Sequence, residues 1–221
     1  MSTPSVVRPG PDRQRTVTGL LDQYRAFAEL TGALDGSDWA RETRCAGWQV
    51  RDVAGHVVGQ AIDTVSGTIG SRTADEQAAA LRVEDPGALA ARLRAATDSM
   101  ARLVTVFDDA AWSAPSPVPG LTLGQGVHAL LNDAYVHADD IRAALGLPFE
   151  NGPGLQASLD FVLGALLRDD AADPDIAPLL GVPAEDFARQ TGMAAHDFLL
   201  AATGRREPAG LGLPDSVNIF R

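Results

Sequence analysis

An all-α fold is what this sequence predicts, and three observations predict it. Six segments, near residues 14–34, 48–70, 86–108, 122–145, 153–168 and 183–203, repeat apolar side chains at helical spacing. Alanine and leucine are abundant, whereas the two-residue alternation of a half-buried strand is scarce. Cap-forming residues, proline and glycine mark several of the boundaries, at Asp85-Pro86, Gly36, Gly146 and Gly204. With 221 residues, 45% hydrophobic and 21% charged, the chain can bury one sizeable domain, or one domain with a smaller appendage.

The elements follow in order. "MSTPSVVRPGPDR" is rich in Pro and Ser and has no apolar core, so residues 1–12 read as a flexible leader without a signal peptide. The first helix should stop by Gly36. Asp85-Pro86 offers an N-cap followed by proline at the first helical position, which starts the third helix. "WSAPSPVPGLT" (112–122) carries three prolines and is expected as an extended connection to the fourth. Gly146 should close that helix and Gly204 the last one. "FENGPG" (149–154) marks a boundary, and "RDDAADPDIAPLLGVP" (168–183) breaks the pattern between the fifth and sixth segments. No internal repeat and no Gly-rich phosphate loop is evident. The expected organisation is a bundle over 13–148 and a mostly helical C-terminal segment, 149–221, packing on it.

Composition excludes several functions. A net charge of −11 argues against nucleic acid and anionic membranes as partners, since both select basic surfaces. Lysine is absent and every basic residue is arginine, a bias read as codon usage in a GC-rich genome. No apolar run approaches the roughly 18 residues of a membrane span, so the cytoplasm is the expected location. The single cysteine, Cys45, excludes an internal disulfide and a cysteine-rich zinc site, and reads as structural.

The four histidines sort by helix face. On the fourth helix, Leu123, Val127, Leu130, Ala134, Ile141 and Leu145 make an apolar stripe. Asp133 and His137, four residues apart, flank it and lean inward. Burying a carboxylate calls for compensation, and a cation is one candidate. Asn132, Tyr135, Asp139, Arg142 and His128 lie on the far, polar side. His196, opposite Phe187, Ala194, Ala195 and Phe198, also reads as exposed. His56 shares a polar stripe with Asp52, Gln60 and Asp63, opposite Val50, Ala54, Val57, Ala61 and Val65. By periodicity it is exposed, and it can serve a metal only if something, such as the C-terminal segment, covers that stripe. Trp39 and Trp48 read as packing residues near the start of the second helix.

Three blocks resemble a known family. "LDGSDWARETRCAGWQVRDVAGHV", "VPGLTLGQGVHALLNDAYVHADDIRAALGLP" and "AAHDFLLAATGRREPAGLGLPDSVNIFR" are similar, in order, to the mycothiol-dependent maleylpyruvate isomerases of the DinB-like superfamily. The resemblance implies a four-helix bundle holding a divalent metal, usually zinc. Its ligands would be His56, Asp133 and His137, so the polar stripe of His56 would be the wall of a metal pocket. Asp133 stands where the family commonly has Glu, one methylene longer. Larger members also carry a separate α/β C-terminal domain, whereas the tail here reads as mostly helical.

Three protein ligands leave an open coordination position, as catalytic zinc does. The implied chemistry is that the metal favours the thiolate of mycothiol, a low-molecular-weight thiol cosubstrate, which attacks a small electrophile. The expected activity is that of an isomerase or S-transferase. Asp52, Asp63 and Asp140 are the candidates to orient the imidazoles. Arg205 is the candidate for a carboxylate of thiol or substrate, or else simply faces, with Arg206, the C-terminal end of the last helix. Two other readings stay open: a non-catalytic small-molecule or partner-binding module, and a metal enzyme that uses water instead of a thiol. The substrate and the oligomeric state are not specified by the sequence.

Overall fold

The computed structural model describes residues 10–168 and 173–220. Most of the leader, residues 1–9, and positions 169–172 of the 168–183 connection lie outside the described residues. The remainder is all-α, a four-helix bundle followed by a mostly helical C-terminal region. Two compact units divide it after Glu150.

The bundle unit comprises α1 (Arg13–Gly32), α2 (Gly36–Trp39), α3 (Val50–Val65), α4 (Ala74–Leu81), α5 (Pro86–Val104), α6 (Asp109–Ser113) and α7 (Leu123–Leu145). Local chemistry sets the starts. Asp12 accepts from the Arg15 amide at 2.7 Å, and Asp85 from Ala88 at 2.8 Å ahead of Pro86. Thr122 and Gln125 form a capping box that opens α7. Gly146, at φ 71°, closes it in a left-handed cap. Inward faces of α1, α3, α5 and α7 supply the core: Leu20, Tyr24 and Phe27; Val53, Val57 and Ala61; Leu89, Leu93 and Met100; Leu130, Ala134 and Ile141. Each buried Leu or Phe contributes about 1.5–3 kcal/mol.

Four expectations for the bundle unit need correction. Helix α4 is new: residues 74–81 fell between the expected segments. Its start is written in the sequence, because Thr73 and Glu76 form a capping box. Gly36 does not end α1, which stops at Gly32; it opens α2 after the N-cap Asp35. The 112–122 connection is not simply extended. Its start belongs to α6, and the rest turns back on itself through an antiparallel bridge between Pro115 and Thr122.

The fourth correction concerns repetition, and the chain does repeat itself. Asp12 and Asp85, Asp35 and Asp108, Trp39 and Trp112, Gly47 and Gly120, and Gln49 and Thr122 are separated by one constant interval. In each half an N-capped long helix leads to a short helix ending near Trp. A loop then turns through a glycine at φ 80° or 81°, and a bridge (Glu42 with Gln49, Pro115 with Thr122) starts the second long helix. Four of these five pairs are identical, but identities are sparse over the rest of the two halves, so backbone geometry makes the repeat plain.

The second unit contains α8 (Pro153–Arg168), α9 (Ala177–Leu180), α10 (Phe187–Thr191) and α11 (Ala195–Ala202). Leu159, Val162, Leu163, Phe187 and Phe198 form its core, the two phenyl rings 4.9 Å apart. The single helix expected over 183–203 is broken: Gly192 takes φ 72°, which ends α10 in a left-handed cap. No helix among the described residues is long and apolar enough to cross a membrane.

Candidate metal centre

Helix α4 decides the environment of His56. Gly55 and Gly59 of α3 let it approach closely: a Cβ on Gly55 would lie 3.1 Å from the Ala78 carbonyl oxygen, and one on Gly59 2.9 Å from the Gln77 Cβ. The stripe that periodicity assigns to solvent is thereby covered, and Asp52, His56 and Asp63 are 2%, 5% and 4% exposed. A neighbouring helix of the same unit covers it. The far side of α7 is likewise interior, with Asn132, Tyr135 and Asp139 buried. His128 and His196 are half-buried, and neither joins a group of potential metal ligands among the described residues.

Three expected side chains come together. Nε2 of His56 lies 3.4 Å from one oxygen of Asp133, and Nε2 of His137 lies 3.6 Å from the other. The imidazole centroids are 5.0 Å apart and nearly perpendicular. Both Nδ1 atoms face acceptors: His56 meets the Gln77 Oε1 at 2.9 Å, and His137 meets Asp140 at 2.9 Å. A neutral ring that donates from Nδ1 carries its lone pair on Nε2. Two lone pairs and a carboxylate therefore converge, an arrangement that repels itself unless a cation or a proton lies among them.

The spacing leaves room for a cation. Good hydrogen bonds of this type span about 2.7–3.2 Å, shorter than either contact. Ligands on a tetrahedral zinc, with bonds of about 2.0–2.1 Å, are separated by about 3.3 Å. The observed separations, one to each oxygen of Asp133, lie near the second figure, and one ligand atom from each of the three residues lies within 4.8 Å of the other two. Two imidazoles and one carboxylate make a catalytic zinc set. The shorter arm of Asp133 still reaches both nitrogens.

The expected orienting carboxylates behave differently from one another. Asp140, fully buried, holds His137 directly and is itself gripped by the Arg44 Nε at 2.6 Å. Asp63 acts one step removed, accepting from the Gln77 amide at 2.8 Å and from Arg72. Burial pushes the Asp63 carboxyl up, but hydrogen bonds from Arg72 and Gln77 and the Arg72 charge outweigh it and hold it below the usual range. Asp52 turns away from the imidazoles: it caps the Gln49 amide at 2.9 Å and pairs with Arg82 at 2.7 Å. Its place at the third residue of α3 draws the carboxylate back to the helix start.

Four contributors escaped the sequence reading: Gln77, Arg44, Trp48 and Cys45. Trp48 is a wall of the site, its ring 5.4 Å from His56 and 6.1 Å from His137, and its Nε1 donates to Asp75 of α4. Arg44 bridges Asp139 and Asp140; burial works against its charge, and the two carboxylates more than restore it. Cys45 Sγ lies 3.1 Å from Asp140 and 3.9 Å from the His137 Nδ1, so the thiol does have a histidine and an acid beside it. Tyr24 is wholly buried and its hydroxyl pKa is raised, by burial first and then by the charge of Asp133.

Arg205 belongs to the other compact unit. It is half-buried and donates to the Thr203 carbonyl at 2.7 Å, at the end of α11, while Arg206 pairs with Asp197. Each arginine thus has a partner at the last helix.

A family model described as the mycothiol maleylpyruvate isomerase N-terminal domain matches residues 20–142, a stretch that holds all three candidate ligands. No curated protein and no solved structure matches the chain.

Proposed function

The chain belongs to the mycothiol maleylpyruvate isomerase N-terminal domain family, and from that membership we propose that it is a metal-dependent, mycothiol-using isomerase or S-transferase acting on a small electrophile. His56, Asp133 and His137 would hold the metal, with zinc as the ion best suited to the donor set. The observation that carries this reading is the convergence of two Nε2 lone pairs on one carboxylate, each imidazole locked from behind at Nδ1. A metal bound there would favour the thiolate form of a coordinating thiol near neutral pH.

The chain's own groups then have defined tasks. Gln77 and Asp140 fix the two imidazole tautomers, and Asp63 with Arg72 fixes Gln77. Trp48 excludes water from one side of the rings, which strengthens electrostatic interactions there. The role expected of Arg205, meeting a carboxylate of thiol or substrate, belongs to the same proposal. Arg205→Gln then raises KM for the thiol and leaves metal content unchanged. The net charge of −11 favours small-molecule partners over nucleic acid, and a cytoplasmic setting belongs to the same proposal.

Elemental analysis of the native protein, paired with turnover of mycothiol and an activated alkene, tests the reading. About one metal per chain and thiol-dependent turnover are expected. Less than about one-tenth of a metal per chain, with no gain in thiol affinity on adding zinc, favours a non-catalytic binding module. Metal-dependent turnover that persists in thiol-free preparations favours the reading in which water replaces the thiol.

A further inference from the structure

The imidazole of His137 has ligand atoms on both of its faces. Its Nε2 points to the cluster described above. Its Nδ1 stands beside a second set, formed by Cys45 and Asp140. Nδ1 to Asp140 Oδ2 is 2.9 Å, Oδ2 to Cys45 Sγ is 3.1 Å, and Sγ to Nδ1 is 3.9 Å. We propose that Cys45 Sγ, His137 Nδ1 and Asp140 Oδ2 form a second cation site, selective for a thiophilic divalent ion, that competes with the first site for His137.

Geometry supports the site. Bonds of about 2.3 Å to sulfur and 2.0–2.1 Å to nitrogen place tetrahedral S and N ligands about 3.6 Å apart. The two sulfur separations, 3.1 and 3.9 Å, fall on either side of that figure, and the 2.9 Å between Nδ1 and Oδ2 is short of the roughly 3.3 Å between nitrogen and oxygen ligands, so shifts of about half an ångström complete the site. Burial and charge bear on the site as well. Asp139 and Asp140 are 4% and 0% exposed and share one guanidinium, that of Arg44. A divalent ion bound there would place positive charge beside these two buried carboxylates. Arg44 Nε occupies Oδ1 of Asp140 and leaves Oδ2 to the cysteine and histidine. Sulfur, absent from the first set, gives this one its preference for soft ions.

Competition follows from valence. A neutral imidazole has one lone pair. An ion held at Nδ1 places the ring proton on Nε2, where it faces Asp133 instead of ligating. Occupation releases the Cys45 thiol proton to solvent, while the His137 proton moves from Nδ1 to Nε2.

Cadmium is the probe. Titration of the metal-free protein with Cd²⁺ is expected to raise one equivalent of sulfur-to-cadmium charge-transfer absorption, and because the chain has one cysteine that band reports Cys45 alone. Cadmium-edge X-ray absorption on the wild-type chain should then show one sulfur together with an imidazole. His56→Ala removes a ligand of the first site and should leave the band intact, so this inference stands or falls apart from the proposed function. No band, or a sulfur accompanied by solvent oxygens alone, overturns it. So does a band that disappears in His56→Ala while that variant keeps its helical circular dichroism.

Discussion

In the first half of the bundle, Trp39 and Arg51 occupy the places that Trp112 and Gly124 hold in the second, and the two frames are otherwise alike. Their side chains are put to different uses. The second half packs its loop tightly: Trp112 is 9% exposed and lies against Gly124. The first half leaves Trp39 half-exposed and turns its loop into the site, with Arg44, Cys45 and Trp48 reaching α7 or its ligands. Ligand positions are equally unequal. The counterpart of His56 is Ala129, that of Asp133 is Gln60, and that of His137 is Thr64. A repeated frame offers two related constellations, and one of them carries side chains that could ligate a metal. The frame therefore supplies rigidity, and departures from the repeat supply chemistry.

The largest effect should come from exchanging one residue on each side of that comparison. His137→Ala removes a ligand, and zinc content is expected to fall from about one per chain to below about one-tenth. Thr64→Ala, at the equivalent place in α3, loses a hydrogen bond to the Gln60 carbonyl at 2.8 Å and should keep full metal content. Elemental analysis of both variants, with circular dichroism as the check on folding, reads the difference. Equal loss in both would mean that the two halves are not distinguished by their ligands.

Helix α4 has no partner in the second half, and it is the next largest lever. Gln77→Ala unties the His56 Nδ1 while leaving all three ligands in place. Zinc affinity is expected to fall by about 10–100-fold, measured by competition with a chelating dye. The loss should appear as faster metal release and not as an unfolded chain. An unchanged affinity would show that packing against Trp48 is enough to hold the ring.

The sequence displayed the long helices, their caps and the i, i+4 pair of Asp133 and His137, because these rest on local periodicity and local hydrogen bonds. It misplaced His56, since exposure on a helix depends on what lies across it, and α4 is short enough to escape a periodicity scan. The Thr73–Glu76 capping box was a visible signal for α4, and Gly55 and Gly59 were visible signals for close helix approach. Asp52 and Asp63 looked alike along the stripe; only the helix start that draws one back, and the Gln77 that reaches the other, separate them. Nothing local links Cys45 to a histidine far along the chain, so its surroundings had to wait for the fold.

A smaller effect separates the tryptophans. A Cβ on Gly124 would lie 2.5 Å from the Trp112 ring, so Gly124→Ala should cost about 1–3 kcal/mol through overpacking. At the matching place Arg51→Ala should cost below about 1 kcal/mol, because Trp39 is less enclosed. Urea denaturation monitored by tryptophan fluorescence gives both values. If the two costs are equal, the loops are packed alike and the contrast drawn above fails at that point.

The smallest effect is one of pH, at the pair Asp63 and Val136. These positions correspond and both are buried, yet one is a carboxylate held by Arg72 and Gln77 and the other is aliphatic. The Asp63 carboxyl is held below its usual value, so its charged form is better accommodated in the folded state than in the unfolded chain. The resulting stability is fully present above the unfolded value of about 3.9 and drains away as pH falls through the lower folded value. Asp63→Asn should therefore be less stable than the wild type at neutral pH, with the gap narrowing as denaturation is repeated in acid. Val136→Ala loses buried apolar surface, a cost that no proton changes, so its gap should stay constant over the same range. Parallel curves for both variants would mean that the Arg72–Asp63–Gln77 chain holds His56 by packing alone.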